Sequence, residues 1–162
     1  MPARLVFAMT NDISQGNAQG ICTVASLQWA KVCLQRRRGV GSYDELGLSE
    51  HQLNALMAVL RKLDNNAIAQ TEAMGLRTTG DVVAANFLTV HNNTVASPAG
   101  ICIFWTQIHT MGYRAIGREF EFFDKNEGLY LASSYADIAA QVTDTFTRLA
   151  YTGILGMRPV WL

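Results

Sequence analysis

Apolar residues fill almost every position between Ile21 and Leu34: Ile21, Cys22, Val24, Ala25, Leu27, Trp29, Ala30, Val32, Cys33 and Leu34. A stretch of that length with no wide polar face predicts a helix buried on all sides. Arg36, Arg37 and Arg38 followed by Gly39 predict its end, with cations on the negative end of the dipole and glycine as the cap. Upstream, Arg4 to Thr10 predict a short strand and Asn11 to Gly20 a polar, glycine-containing loop. Farther on, Ser49-Glu50-His51-Gln52 has the Ser-x-x-Gln form of a capping box. Leu53, Leu56, Met57, Leu60 and Leu63 then follow the three-and-four spacing of one helical face. That pattern weakens at Asn65-Asn66 and ends near Gly75. Asp81 is the expected cap of a further short helix through Val90, with Asn92-Asn93 and Ser97-Pro98 as loop.

The pattern changes at Gly100. Ile101–Thr106, Ile108–Tyr113, Glu119–Asp124 and Leu129–Ala132 are short and rich in β-branched or aromatic residues. They are separated by Ala115-Ile116-Gly117 and Lys125-Asn126-Glu127-Gly128, which predict turns between antiparallel hairpins. Ser134 with Asp137 predicts the start of another helix through Leu149, and Gly153–Trp161 a final strand. Helices first and hairpins later give an α+β fold.

At 162 residues, the chain is expected to form a single domain over 1–162. With 49% hydrophobic and 16% charged residues, global disorder is excluded. Thirteen basic residues balance thirteen acidic ones, so the positive field that nucleic acid or an anionic membrane requires is missing. No apolar run reaches the ~18 residues of a membrane span. Met1-Pro-Ala-Arg lacks the form of a cleaved secretory signal. The three cysteines, Cys22, Cys33 and Cys102, are odd in number and fall in no closely spaced pair. Reduced thiols in a cytosol-like compartment fit them better than a disulfide framework. A zinc site would have to gather Cys22, Cys102, His51, His91 or His109 from distant positions without a short ligand pair, so no metal is expected.

Chemistry is suggested at the start of the buried helix. Cys22 follows Gly20-Ile21, where unpaired N–H groups and the helix dipole lower a thiol pKa. The preceding loop offers Gln15, Asn17 and Gln19, any of which could donate a hydrogen bond to an oxyanion beside the sulfur. A small cysteine on a core helix is the plainer alternative. His109 lies between two apolar strand segments, and Asp124 follows Phe120-Glu121-Phe122-Phe123. On adjacent antiparallel strands the two would lie side by side. The carboxylate would then hold one imidazole nitrogen and leave the other to take a thiol proton. A half-buried histidine and an aspartate opening a turn is the alternative for this pair.

The two segments together resemble a known family. Gly20-Ile21-Cys22-Thr23-Val24-Ala25-Ser26-Leu27-Gln28-Trp29 is similar to the nucleophile helix of the YopT-like cysteine proteases, bacterial virulence effectors with a papain-like fold. Ile108-His109-Thr110-Met111-Gly112-Tyr113, followed by Phe120-Glu121-Phe122-Phe123-Asp124-Lys125-Asn126-Glu127-Gly128, resembles their histidine strand and the turn after it. The order Cys, His, Asp is shared, whereas Lys125 stands where the family tends to have proline. The middle of the chain carries no such similarity.

The resemblance implies a papain-like cysteine protease fold, with the nucleophile helix packed on an antiparallel sheet. It implies that Cys22 is the nucleophile, His109 the general base and then acid, and Asp124 the orienting group. Asn17 matches the family's oxyanion donor best, with Gln19 second and the Cys22 backbone N–H as the other donor. The implied reaction is acyl transfer through a thioester on Cys22, requiring neither cofactor nor metal. The implied partner is a protein substrate in a host or competitor cytosol, reached through a specialised secretion machine. An interbacterial toxin would also need an immunity protein.

Trp29, two helical turns from Cys22, is expected to pack beneath the site, and Trp105 is a candidate wall of a substrate groove. His51 and His91 are expected to face solvent, and Cys33 and Cys102 to be inert core thiols. Deamidases, transglutaminases, acyltransferases and peptidoglycan amidases use the same three residue types on related folds, and fold does not choose among them. A non-catalytic binding domain with a buried Cys22 is the reading from another class.

Overall fold

A computed structural model describes residues 1–9, 21–63 and 67–162. Among these residues, seven strands form one sheet: β1 (Arg4–Ala8), β2 (Val82–Val83), β3 (Ile101–Trp105), β4 (Thr110–Ile116), β5 (Glu119–Asp124), β6 (Gly128–Ala132) and β7 (Gly156–Pro159). Their order is β1-β6-β5-β4-β3-β7-β2, and every pairing is antiparallel. Five helices accompany them among the described residues: α1 (Ile21–Arg36), α2 (Glu50–Arg61), α3 (Ala67–Ala73), α4 (Phe87–Val95) and α5 (Tyr135–Arg148), with a 3-10 turn at Tyr43–Leu46.

Alternation along the strands divides the core in two. Ile101, Ile103, Phe123 and Leu129 point to the face covered by α1 and α2, and pack with Val24, Leu27, Trp29, Leu53 and Leu60. Cys102, Phe104, Tyr113 and Phe122 point to the opposite face, against Val90 of α4 and Ile138 and Val142 of α5. At roughly 1.5–3 kcal/mol per fully buried large apolar side chain, both faces contribute substantially. The all-round apolar character of α1 is explained by its neighbours, since it touches β3, β4, β5, α2 and the 3-10 turn.

Local signals hold at several ends. Ser49 and Gln52 form the reciprocal capping box of α2, and the Ser134 side chain accepts from the Asp137 N–H at the start of α5. Other expectations are corrected. α1 is closed by Arg37, which takes the left-handed conformation at φ 56°, with Arg38 N–H bonded to the Cys33 carbonyl. Gly39 is needed for space instead, because a Cβ there would collide with the Glu121 carboxylate. Asp81 caps no helix. Its carboxylate binds Arg158 at 2.7 Å, Val82–Val83 form an edge strand, and Asn86 caps α4 by accepting from the Thr89 N–H. The helix therefore runs through Asn92-Asn93, where the sequence predicts a loop. The break expected at Asn65-Asn66 and the loop carrying Gln15, Asn17 and Gln19 lie outside the described residues.

Candidate active site

Cys22 is the second residue of α1, where backbone N–H groups lack intrahelical acceptors. The helix is pinned there to the first residue of β4. Thr110 N–H donates to Cys22 Sγ at 3.4 Å, the Thr23 and Thr110 hydroxyls are 3.0 Å apart, and the Ser26 hydroxyl donates to the Thr110 carbonyl at 3.4 Å. Two turns along α1, Trp29 is fully buried and stacks on Phe123 at 5.5 Å between centroids, so it packs beneath the site as expected. Its ring lies over Gly112 of β4, where any Cβ would occupy the space of the indole. A glycine at 112 lets the helix approach the strand, and that approach carries Cys22 to the residue before Thr110.

That residue is His109. It ends a tight β3–β4 turn in which Thr106 N–H bonds to its carbonyl at 2.9 Å. Its imidazole is 6% exposed and shares hydrogen bonds with two groups. Nε2 lies 2.7 Å from Asp124 Oδ1, and the ring also hydrogen-bonds the Cys22 thiol, which leaves Nδ1 for the sulfur. The sequence suggests that His109 and Asp124 lie side by side. In fact the β4–β5 register, Gly112 opposite Phe123, continues to Met111 opposite Asp124. His109 lies two positions further along, a diagonal neighbour within reach because imidazole is long.

Asp124 has no exposed surface. Its Oδ1 also accepts the Asn126 N–H at 2.8 Å, and its Oδ2 accepts the Tyr151 hydroxyl at 2.9 Å. Asn126 Nδ2 in turn donates to the Tyr151 oxygen at 2.7 Å. The turn after Asp124 is tight, with Glu127 N–H on the Asp124 carbonyl at 3.0 Å. Gly128 closes it at φ 131°, where a Cβ would run into the Phe7 carbonyl. Lys125, at the position where the resembled family tends to have proline, is completely buried and reaches Glu50 Oε1 at 2.8 Å.

The electrostatics favour a charge pair. Burial opposes ionisation of the Cys22 thiol, but the hydrogen bond and charge of His109, together with the Thr110 N–H, outweigh it and lower the pKa. Burial likewise opposes a charged His109, yet the bonds to Asp124 and Cys22 push its pKa up to about 9. Cys33 and Cys102 behave in the opposite way. Burial raises both, and Cys102 is pushed up to about 12 although it accepts from the Thr94 hydroxyl.

The other sequence candidates fall elsewhere. Trp105 is half-buried and pairs with Thr110 across β3–β4, close to His109 in register, with the Arg158 guanidinium 5.4 Å from its ring. His51 is exposed. His91 is not solvent-facing: it is half-buried, with Nδ1 2.7 Å from the Tyr113 hydroxyl and its ring on Tyr135 at 4.3 Å. Sequence reasoning does not single out Thr110, Asn126 or Tyr151 as site residues. Asn126 lies within the turn that carries the resemblance, whereas Tyr151, beyond α5, has no local sequence signal.

No protein-family profile and no curated protein sequence matches the chain. Among solved structures, it is similar to the Pseudomonas avirulence protein AvrPphB, with 17% identity and a TM-score of 0.55 over 100% of this chain and 97% of that one. It is also similar to PatoxP, a cysteine protease-like domain of the Photorhabdus asymbiotica toxin PaTox. There the identity is 14% and the TM-score 0.59, over 95% of this chain and 52% of the other. At these identities the likeness concerns the fold: an α+β, papain-like arrangement of a helix against an antiparallel sheet.

Proposed function

We propose that the chain is a cysteine protease that cleaves a protein substrate through an acyl-enzyme, in the manner of the YopT-like effectors its sequence resembles. The observation carrying this reading is the hydrogen-bonded order Cys22–His109–Asp124, with the thiol pKa lowered and the imidazole pKa raised. The Cys22 thiolate attacks the scissile carbonyl carbon and forms a C–S bond while the carbonyl oxygen takes the negative charge. Collapse of that intermediate breaks the C–N bond, and His109 gives its proton to the leaving amine. Water then attacks the thioester, giving a proton to His109, and the acid departs as the C–S bond breaks and the Cys22 thiolate re-forms beside the imidazolium. Asp124 holds the Nε2 side throughout, so Nδ1 remains the working nitrogen. The oxyanion would be met by the Cys22 N–H and by Asn17, with Gln19 as the second candidate.

The resemblance to virulence effectors supports action in the cytosol of a host or of a competing bacterium after delivery by a specialised secretion system. In the latter case the producer would need an immunity protein. The test compares the active protein with Cys22→Ala in host and bacterial lysates by terminomics. New protein termini that depend on Cys22 are expected. Mass shifts of +1 Da on Gln or Asn without new termini would instead assign a deamidase. No Cys22-dependent change in either lysate would refute the protease reading.

A further inference from the structure

Tyr151 follows a chain reversal after α5: Ala150 has φ 55°, and Tyr151 N–H bonds to the Phe146 carbonyl at 2.9 Å. The side chain comes back to the sheet. Its ring lies 4.8 Å from the His109 imidazole at an interplanar angle of 31°, and Phe146 packs against it edge-on at 5.3 Å. We propose that Tyr151 is a positioning residue of the site, whose hydroxyl fixes the Asp124 carboxylate while its ring fixes the tilt of His109 toward Cys22. This rests on the thiol–imidazole chemistry proposed above.

The bond pattern gives each atom one role. A carboxylate held through one oxygen can rotate about its Cβ–Cγ bond. Here Oδ1 takes the bonds from His109 and the Asn126 N–H, and Tyr151 holds Oδ2 on the opposite side. Asn126 Nδ2 donates into the Tyr151 oxygen, so the hydroxyl proton is committed to Asp124. Asn126 thus serves the carboxylate twice, directly through its backbone and indirectly through Tyr151. Among the described residues, the charges that act on His109 are those of Asp124 from β5 and Cys22 from α1, and the titratable Tyr151 lies against its ring. Glu127, whose charge also reaches Tyr151, is neutralised by Arg148 at 2.9 Å. With Asp124 wholly buried, removing the hydroxyl leaves Oδ2 without a donor among the described residues. Any relief, by rotation or by entry of water, loosens the bond to His109.

The test is the pH profile of Cys22 alkylation by iodoacetate, an anion that needs the thiolate and is drawn by the imidazolium. Tyr151→Phe removes only the hydroxyl, Tyr151→Leu removes ring and hydroxyl, and thermal unfolding checks that each is folded. In the wild type the rate should rise as the thiol ionises and fall near pH 9 as the imidazolium loses its proton. In Tyr151→Phe the falling limb should move toward pH 6.5 and the neutral-pH rate should drop roughly tenfold, as for a lost bond to a charged group. Tyr151→Leu should drop further. A folded Tyr151→Phe with an unchanged profile, or a falling limb moved upward, overturns the positioning role. A wild type showing a single rise near the ordinary thiol pKa of ~8.5 refutes the thiol–imidazole reading itself, and this inference with it.

Discussion

Replacing Asp124 with asparagine separates the charge of this residue from its shape. The rise of the His109 pKa from 6.5 to about 9 corresponds to roughly 3 kcal/mol of preference for the protonated ring, a factor of a few hundred. Burial works against that rise, and the hydrogen bond that His109 donates to Asp124 is the largest contribution that overcomes it. The introduced amide has two ways to fit. With its oxygen toward Nε2 it keeps the tautomer but loses the charge. With its nitrogen toward Nε2 it forces that ring atom to accept, places a proton on the nitrogen facing Cys22, and meets the Asn126 N–H donor to donor. Either way the pair reverts to neutral thiol and neutral imidazole. Iodoacetate alkylation of Cys22 near pH 6.5 should therefore slow by about 10- to 10²-fold, and turnover by on the order of 10²–10⁴-fold. The unfolding temperature should change far less than activity. Alkylation rates within twofold of wild type across pH 5–8, in a folded Asp124→Asn variant, would refute the derivation and leave Asp124 as a turn residue.

Cys22 should be alkylated by iodoacetamide faster than Cys33 and Cys102 below pH 7, and His109→Ala should slow it; peptide mapping of labelled protein reads both, and equal slow labelling contradicts the charge pair. Gly112→Ala should destabilise the fold by about 1–3 kcal/mol, seen as a Tm lower by several degrees, because the new methyl occupies the Trp29 ring position. A Tm unchanged within a degree would mean that α1 can retreat from β4. Asn17→Ala should lower kcat by roughly 10²–10³-fold with little change in KM, since the oxyanion exists only after attack. The same result from Gln19→Ala, with Asn17→Ala silent, reassigns the donor.

Much of this protein was legible in sequence because local physics is strong there. The apolar stretch from Ile21 predicts α1 and its burial, since no other packing satisfies a helix without a polar face. The Ser49 and Ser134 caps are short-range hydrogen bonds between residues three apart, and the structure contains them. The β-rich runs after Gly100 predict β3 to β6, because β-branched and aromatic residues fit a pleated, half-buried surface. Misplaced ends share one cause. Asp81 and Gly39 are both plausible caps in isolation, but Arg158 claims the first and Glu121 crowds the second, and both partners are remote in sequence.

The assembly of the site was decided by tertiary structure. Position 112 has no local reason to be glycine, yet the Cβ missing there is what leaves room for the Trp29 ring between α1 and β4. The diagonal between His109 and Asp124 comes from sheet register, which is set by the packing of both faces. Tyr151 reaches Asp124 across 27 positions of chain because α5 packs on the sheet and the backbone reverses at Ala150. The burial that opposes charge on His109, and the bonds that restore it, likewise exist only in the folded molecule. Sequence by itself determined which side chains could carry the chemistry, since thiol, imidazole and carboxylate are properties of residues. Their pKa values and alignment are properties of distances, and distances between remote positions are set only when the core closes.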